Sequence, residues 1–468
     1  MKNQRYLNSP GSIFSIYLIT ILILTTQLSC KKQWLDAKPS KSLIVPSSLS
    51  DYQQILDNTS IFNNGLAALG EISSDNYYVT YANWQSSGSV LERNSYTWAK
   101  DFFAGETACS DWTNAYRNIL YANIILEGLG KINQTQGNQK EYSSIKGGTL
   151  FHRAHNLYNL AQLFCPPYQA STADSQPGLP IKTNANVNER VTRANLKITY
   201  DQIIADLNAA AELLPDTQMY PTRPSKIAAF AMLARVSLCI SDYSEALKWA
   251  DKSLQLNSQL LDFSSLNQNA NFPFALFNKE VIFHSAASTY LIASGVRFNV
   301  DTSLYRSYEE NDLRKTSYYK LSGTEIKYKG SYVGNNSFFS GLSVDEVFLI
   351  RAECLARGNR TTEALNDLNT LLKTRWKMIN GTSTYVKKNA LTAEEALTVI
   401  LTERRKELPF RELRWTDLRR LNQMQAHAIT LSRILNGITY TLPPNDPRYT
   451  LPIPPDEVNY SGIDQNQR

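Results

Sequence analysis

The sequence predicts a mainly α-helical protein, a TPR-like scaffold of helix pairs carrying long irregular loop insertions and a few short β-strands or hairpins. Three observations predict it. Apolar residues recur at helical spacing along most of the chain. Two stretches match a helix-turn-helix period of roughly 34 residues. The segments between helices, rich in Asn, Ser, Tyr and Gly, are too long to be simple connections and so must carry local structure.

In chain order, the first element is a targeting segment. Lys2 and Arg5 precede an apolar run from Ile13 to Leu24, and Thr25-Thr26-Gln27-Leu28-Ser29 leads into Cys30. A basic start, a short apolar run and a small-residue exit make a secretory signal over 1–29, too short to span a bilayer comfortably. Three fates compete for Cys30: a disulfide half, a buried thiol, or lipid attachment. The small residue before it resembles the lipobox of bacterial lipoproteins, although Gln27 stands where an aliphatic residue is usual. That resemblance implies cleavage before Cys30 and acylation of its thiol, with enough acyl chains for stable anchoring. Residues 30–50, rich in Lys, Ser and Pro, read as the anchored tether, and 51–468 as a single domain. Cys109, Cys165, Cys239 and Cys354 are scattered through apolar, helix-like contexts and read as small buried hydrophobes rather than a stapled framework.

The helices follow at about 110–130, 149–164, 199–257 and 343–375. Within Ser225 to Asn257, Phe230, Leu233, Ala234 and Leu238 form one apolar stripe. Tyr243, Ala246, Leu247, Ala250 and Leu254 form a second after the break at Ser241-Asp242. Ala234 and Ala246 lie twelve apart, where two antiparallel helices must approach closely. Phe348, Ala352, Leu355, Ala364 and Leu368 repeat the arrangement, with Gly358-Asn359 as the turn. Insertions at 60–108, 165–197, 258–342 and 424–468 separate the helices and carry strand-like pieces such as "KEVIFHSAA" and "GTEIKYKGSYVG".

From Leu401 to Gln423 seven basic residues alternate with Glu403, Glu407, Glu412 and Asp417. This pattern predicts ion pairs along a helix face, broken at Pro409, with Phe410, Leu413 and Trp415 packing at the corner. The net charge of +6 is spread out and these acids cancel the local bases, so no nucleic-acid partner is implied.

Chemistry leaves little trace. There is no G-x-S-x-G, P-loop, H-E-x-x-H or EF-hand pattern. Of the four histidines only His152 and His155 share helical spacing, and no acid flanks them, so a packed pair is favoured over a metal site. Carboxylates are plentiful enough for a glycosidase pair, whose separation is a spatial matter. Aromatics are more informative. "EISSDNYYVTYANWQSSGS" mixes Asp75, Tyr78, Tyr81 and Trp84 with Asn76 and Asn83, Trp98 follows, and Tyr290 lies in the 258–342 insertion. Aromatic faces stack on the C–H faces of sugars while polar neighbours bond the hydroxyls. Fixing the loop to the core is the competing role for each ring.

Taken together, "CKKQWLDAKPS", "WTNAYRNILYAN", "YDQIIADLNAAAELLP", "RPSKIAAFAMLARVSL", "ERRKELPFRELRWTDLRR" and "LPIPPDEVNYSGIDQNQ" occur in the order seen in the SusD/RagB family of Bacteroidetes outer-membrane lipoproteins. The chain resembles that family over nearly its whole length, with the C-terminal family region at about 300–468. One departure is Arg411-Glu412, where the family usually has Glu-Gly; it bears on the turn at that corner.

The resemblance implies a surface-exposed, lipid-anchored protein of the outer membrane that binds oligosaccharides without covalent chemistry or a cofactor. It implies delivery to a SusC-like TonB-dependent transporter, and a ligand pocket among the insertions, with Asp75, Tyr78, Tyr81, Trp84, Trp98 and Tyr290 as candidates and Cys30 as the lipid site. Peptide binding by a RagB-like member is the alternative ligand class. A secreted glycoside hydrolase or a TPR assembly factor is the more distant one.

Overall fold

Helix pairs stacked in chain order build the scaffold. The computed structural model describes residues 46–468. In it, Ser110–Leu129 (α1), Gln139–Phe164 (α2), Leu196–Leu213 (α3), Lys226–Cys239 (α4), Tyr243–Leu256 (α5), Val344–Arg357 (α6), Thr361–Lys373 (α7) and Ala393–Glu407 (α8) each pack against the next. The short helix Arg414–Leu421 (α9) follows. Helix α5 lies directly on α6, so the array continues past residues 258–342, whose Phe263, Phe274, Phe283 and Phe298 join the main core. The signal segment, Cys30 and most of the tether lie outside the described residues. Among those described, the first helix begins at Leu49, capped by Ser48 in a capping box with Asp51, so helix starts inside the stretch expected to be tether.

The local reasons for the array are visible residue by residue. Ser225 caps α4 by accepting from the Ala228 N–H, and apart from Lys226 and Phe230 the helix is buried on every side. Its partner α5, capped by Asp242, buries only the stripe Ala246, Ala250, Ser253 and Leu254. Ser241 makes the turn between them in a left-handed conformation. Ala234 and Ala246 are both fully buried, and Ala352 and Ala364 repeat the relation in α6 and α7, where Asn359 takes the left-handed turn. Small residues at these crossings let the backbones approach. Helix α2 begins at Gln139, ten residues before the expected start, because Tyr142 and Ile145 in its first turns pack with Leu49, Tyr52, Ile125 and Leu129. A Cβ on Gly147 would come within 2.9 Å of the Leu214 side chain.

The charged C-terminal segment departs from expectation in an instructive way. Helix α8 stops at Glu407, and Phe410, Leu413 and Trp415 are buried at the corner before α9. Yet only Lys406–Glu403 and Arg420–Asp417 are pairs within one helix. Most of the charges turn inward to partners far away in sequence. Arg375 at the end of α7 bonds Glu407 (2.7 Å) and Glu280 (2.9 Å), and Arg314 bonds Glu403 (2.6 Å), Asp312 (2.7 Å) and Glu407 (3.1 Å). Arg411 reaches Asp345 (3.0 Å) and lies over the Tyr332 ring, while Arg420 holds Glu353 (2.6 Å). These groups are almost without solvent contact, so each pair must be matched in place. The network ties the base of the 258–342 insertion to α6, α7 and α8. Cys109, Cys165, Cys239 and Cys354 are free and buried.

Candidate ligand-binding face

Two insertions far apart in sequence are zipped together by a short antiparallel ladder. Tyr77–Val79 pairs with Phe298–Val300, with Tyr78 opposite Asn299. Strand alternation sends Tyr77 and Val79 into the core and leaves Tyr78 40% exposed. Thr80 then caps the one-turn helix Tyr81–Gln85 by accepting from the Asn83 N–H. Positions three apart on a helix are neighbours, and the Tyr81 and Trp84 rings stack with centroids 5.7 Å apart at 26°. The Trp84 indole N–H donates to the Arg93 carbonyl (3.1 Å), fixing the ring by its edge, while Tyr81 is 39% exposed.

The opposing insertion clamps this turn. The Asn83 amide donates to the Arg297 carbonyl (2.7 Å), and the Arg297 guanidinium returns a bond to Ser86 Oγ (2.8 Å). The Ile292 N–H donates to Glu92 (2.6 Å). Beside these contacts lies a small cleft of about 120 Å³ lined by Tyr290, Thr289, Ser294, Asn336 and Ser337. Tyr290 is half-buried there, its hydroxyl donating to Asp111 (2.7 Å) and in contact with Ser110 Oγ (2.8 Å). Asp111 also accepts from the Ala68 and Leu69 N–H groups; burial pushes its carboxyl up to about 6 against these bonds.

The sequence candidates therefore separate. Tyr78, Tyr81 and Trp84 are on the solvent side, with Tyr290 at the neighbouring cleft. Trp98 is 1% exposed, its indole N–H bonded to the Ser73 carbonyl (2.9 Å) and its ring against the Arg433 guanidinium, so it belongs to the core and offers no ligand face. Asp75 is taken up by a bidentate pair with Arg414 (2.6 and 2.9 Å) and a contact with Arg405 (3.1 Å). Burial opposes its charge, but the two guanidiniums hold its carboxyl well below the usual range. Arg297, the residue that joins the insertions, was not singled out from sequence; nothing marks one arginine in a loop as a bridge.

The histidine pair is packed rather than presented. His152 and His155 lie among Phe151 and Phe283 with Phe62 against His152, and burial pushes His152 down to about 3. Two carboxyls, Glu71 and Glu412, do come together. Burial pushes Glu71 up to about 7, and burial together with repulsion from Glu71 and Asp111 raises Glu412 well above its usual value. Glu71 has no solvent-accessible surface, whereas Glu412 is half-buried and lines a small cavity of about 30 Å³ with Tyr158, Arg235 and Trp415.

Comparison with known proteins agrees with this architecture. A family model described as starch-binding associating with outer membrane matches residues 33–238, and the SusD family model matches 299–467. SusD-like protein P2 of Formosa agariphila is 25% identical over 398 residues, spanning 72% of this chain and 75% of its own. Among solved structures, a SusD-like carbohydrate binding protein from Bacteroides vulgatus superposes with a TM-score of 0.68 at 19% identity, covering 89% of this chain and 97% of that one. Surface glycan-binding protein A from Bacteroides fluxus gives 0.65 at 19% identity, covering 92% and 99%. A SusD superfamily protein from Bacteroides thetaiotaomicron gives 0.67 at 20% identity, covering 90% and 100%; likenesses at these identities speak to the fold.

Proposed function

The chain belongs to the SusD/RagB family, and from that premise we propose that it captures oligosaccharides at the cell surface and hands them, as a non-catalytic lid, to a SusC-like TonB-dependent transporter of the outer membrane. The observation that carries this reading is the Tyr81–Trp84 pair, stacked, partly exposed and held by bonds between two insertions. A rigid aromatic surface loses little conformational entropy on binding and suits the apolar face of a sugar ring. Asn83, Ser86 and the cleft beside Tyr290 supply polar groups at its edge.

In the same reading Cys30 carries the lipid, with residues 30–50 as the tether and 51–468 as the working domain. The array α1–α8 serves as the rigid support from which the insertions project. Among the described residues no helix is long and apolar enough to cross a membrane.

Calorimetric titration of the purified chain against plant, host and microbial oligosaccharides and mixed peptides tests the proposal. Saturable sugar binding without product is expected, weakened about fivefold or more in Trp84→Ala, the loss of one stacking contact worth about 1 kcal/mol. Binding of peptides alone would replace the ligand class with peptides, and released reducing ends would make the protein a hydrolase. Labelling with a fatty-acid analogue should mark the wild type and miss Cys30→Ala.

A further inference from the structure

An open cleft of about 340 Å³, sharing no lining residue with the aromatic face, lies between α8, α9 and the short helix Thr302–Arg306. That volume falls in the range of small-ligand sites, about 300 to 1,000 Å³. Helix spacing builds its walls. Thr402 and Arg405 are three apart on α8, and Arg414, Leu418 and Leu421 recur at four and three on α9, with Ser307 facing them across the opening. The cleft thus combines an apolar floor, a hydroxyl rim and two guanidiniums.

The guanidiniums are incompletely used. Arg405 and Arg414 share the one carboxylate of Asp75, through Nε and Nη2 of Arg414 and Nη2 of Arg405. Asp301 is 3.7 Å from Arg405, beyond hydrogen-bonding distance, and its Oδ1 is occupied in capping the Thr302–Arg306 helix. Among the described residues the Nη1 atom of neither arginine has a hydrogen-bond partner. Burial and the neighbouring Arg414 also make Arg405 less basic than usual, although Asp75 opposes this; an arriving anion would act in the same sense as Asp75. Guanidinium donors select planar carboxylates over neutral oxygens. The serine and threonine hydroxyls together with Leu418 and Leu421 suit a ring that is polar at its edge and apolar on its face.

We propose that this cleft is a second ligand site, separate from the aromatic face, which takes a hydroxylated carboxylate such as a uronate residue, its carboxylate on the free donors of Arg405 and Arg414 and its ring on Leu418 and Leu421. The assignment does not depend on what the aromatic face binds.

The test is titration of the full chain with galacturonate, trigalacturonate and neutral galactotriose. Thr402→Trp and Ser307→Trp fill the cleft from opposite walls at exposed positions without touching the ion pairs, and Trp84→Ala alters only the aromatic face. Either acid should bind saturably, more weakly at high salt, with a loss of about tenfold or more in both filling variants and less than twofold in Trp84→Ala. Binding of the monomer identifies a free sugar acid as sufficient, and binding of the trimer alone identifies a chain end. Galactotriose binding as tightly as the acids, with the same sensitivity to filling, would overturn the ligand class. Acid binding that ignores both filling variants, or no binding of either acid, would overturn the site.

Discussion

Glu412 holds a backbone conformation that costs a side chain energy. Its φ is +58° and its Oε1 is sequestered without a hydrogen-bond partner, next to the raised carboxyl of Glu71. A left-handed non-glycine residue costs roughly 1–2 kcal/mol, and the family's usual glycine at this position would relieve it. Both acids titrate above their unfolded values, so the stability they permit is complete below about pH 4.5 and is lost as pH rises, through about 7 for Glu71. Glu412→Gly should therefore raise the melting temperature, more at pH 8 than at pH 5; an equal or lower value at pH 8 would contradict this account. The two tryptophans give a second residue-scale contrast. Trp98→Ala opens a buried cavity and should cost about 3–5 kcal/mol in urea unfolding, whereas Trp84→Ala should leave stability within about 1 kcal/mol and change ligand affinity instead.

At the scale of elements, the inward-turned charges do what an apolar seam does elsewhere: they fix which helix meets which segment. Arg375 bonds Glu407 of α8 and Glu280 at the entry to the strand Val281–Phe283, and it also donates to the Leu261 carbonyl (2.7 Å). Removing one partner of such a set strands the others in a low-dielectric interior, at about 3–5 kcal/mol. Arg375→Met should show that loss by chemical denaturation, and Arg375→Lys should recover little of it, because an ammonium cannot reproduce the planar fork. The same design sets the acid limit. Burial opposes the charge of Glu353, but Arg420 and Arg357 hold its carboxyl down at about 2. Its contribution is present above about pH 4.5 and is lost as pH falls through 2. A pH titration of Tm should fall on that side, and less steeply in Glu353→Gln, whose starting stability is lower.

For the molecule as a whole, residues 48–468 form one compact unit, in which a sequential array supports insertions that pair with one another. The array is held by helix-on-helix burial. The aromatic face is held by a three-residue ladder whose Tyr77, Val79, Phe298 and Val300 are buried in the core, and by side-chain bonds between the two insertions, so it opens only when both insertions separate. Hydrogen exchange should find residues 80–90 and 290–298 opening together, faster in Asn83→Ala, while α4 and α6 stay protected. Independent exchange of the two segments would show that they are not coupled.

The helical array was legible in sequence because its signals are local: a 3.6-residue period, caps at Ser225 and Asp242, and alanines twelve apart. The aromatic loop was legible as a composition. Which of its rings would face solvent was not, since Trp98 and Trp84 look alike along the chain and differ only in what folds over them. Nor could alternating charges reveal that Asp75 would meet Arg414, 339 positions away. The sequence by itself determined most of the helices, the pairing within each helix hairpin and the family resemblance, because neighbours in the chain decide those. Only the tertiary structure decided which charges are buried, which aromatics are presented, and that the two arginines of the C-terminal segment share one aspartate at a cleft, because those depend on contacts between residues hundreds of positions apart.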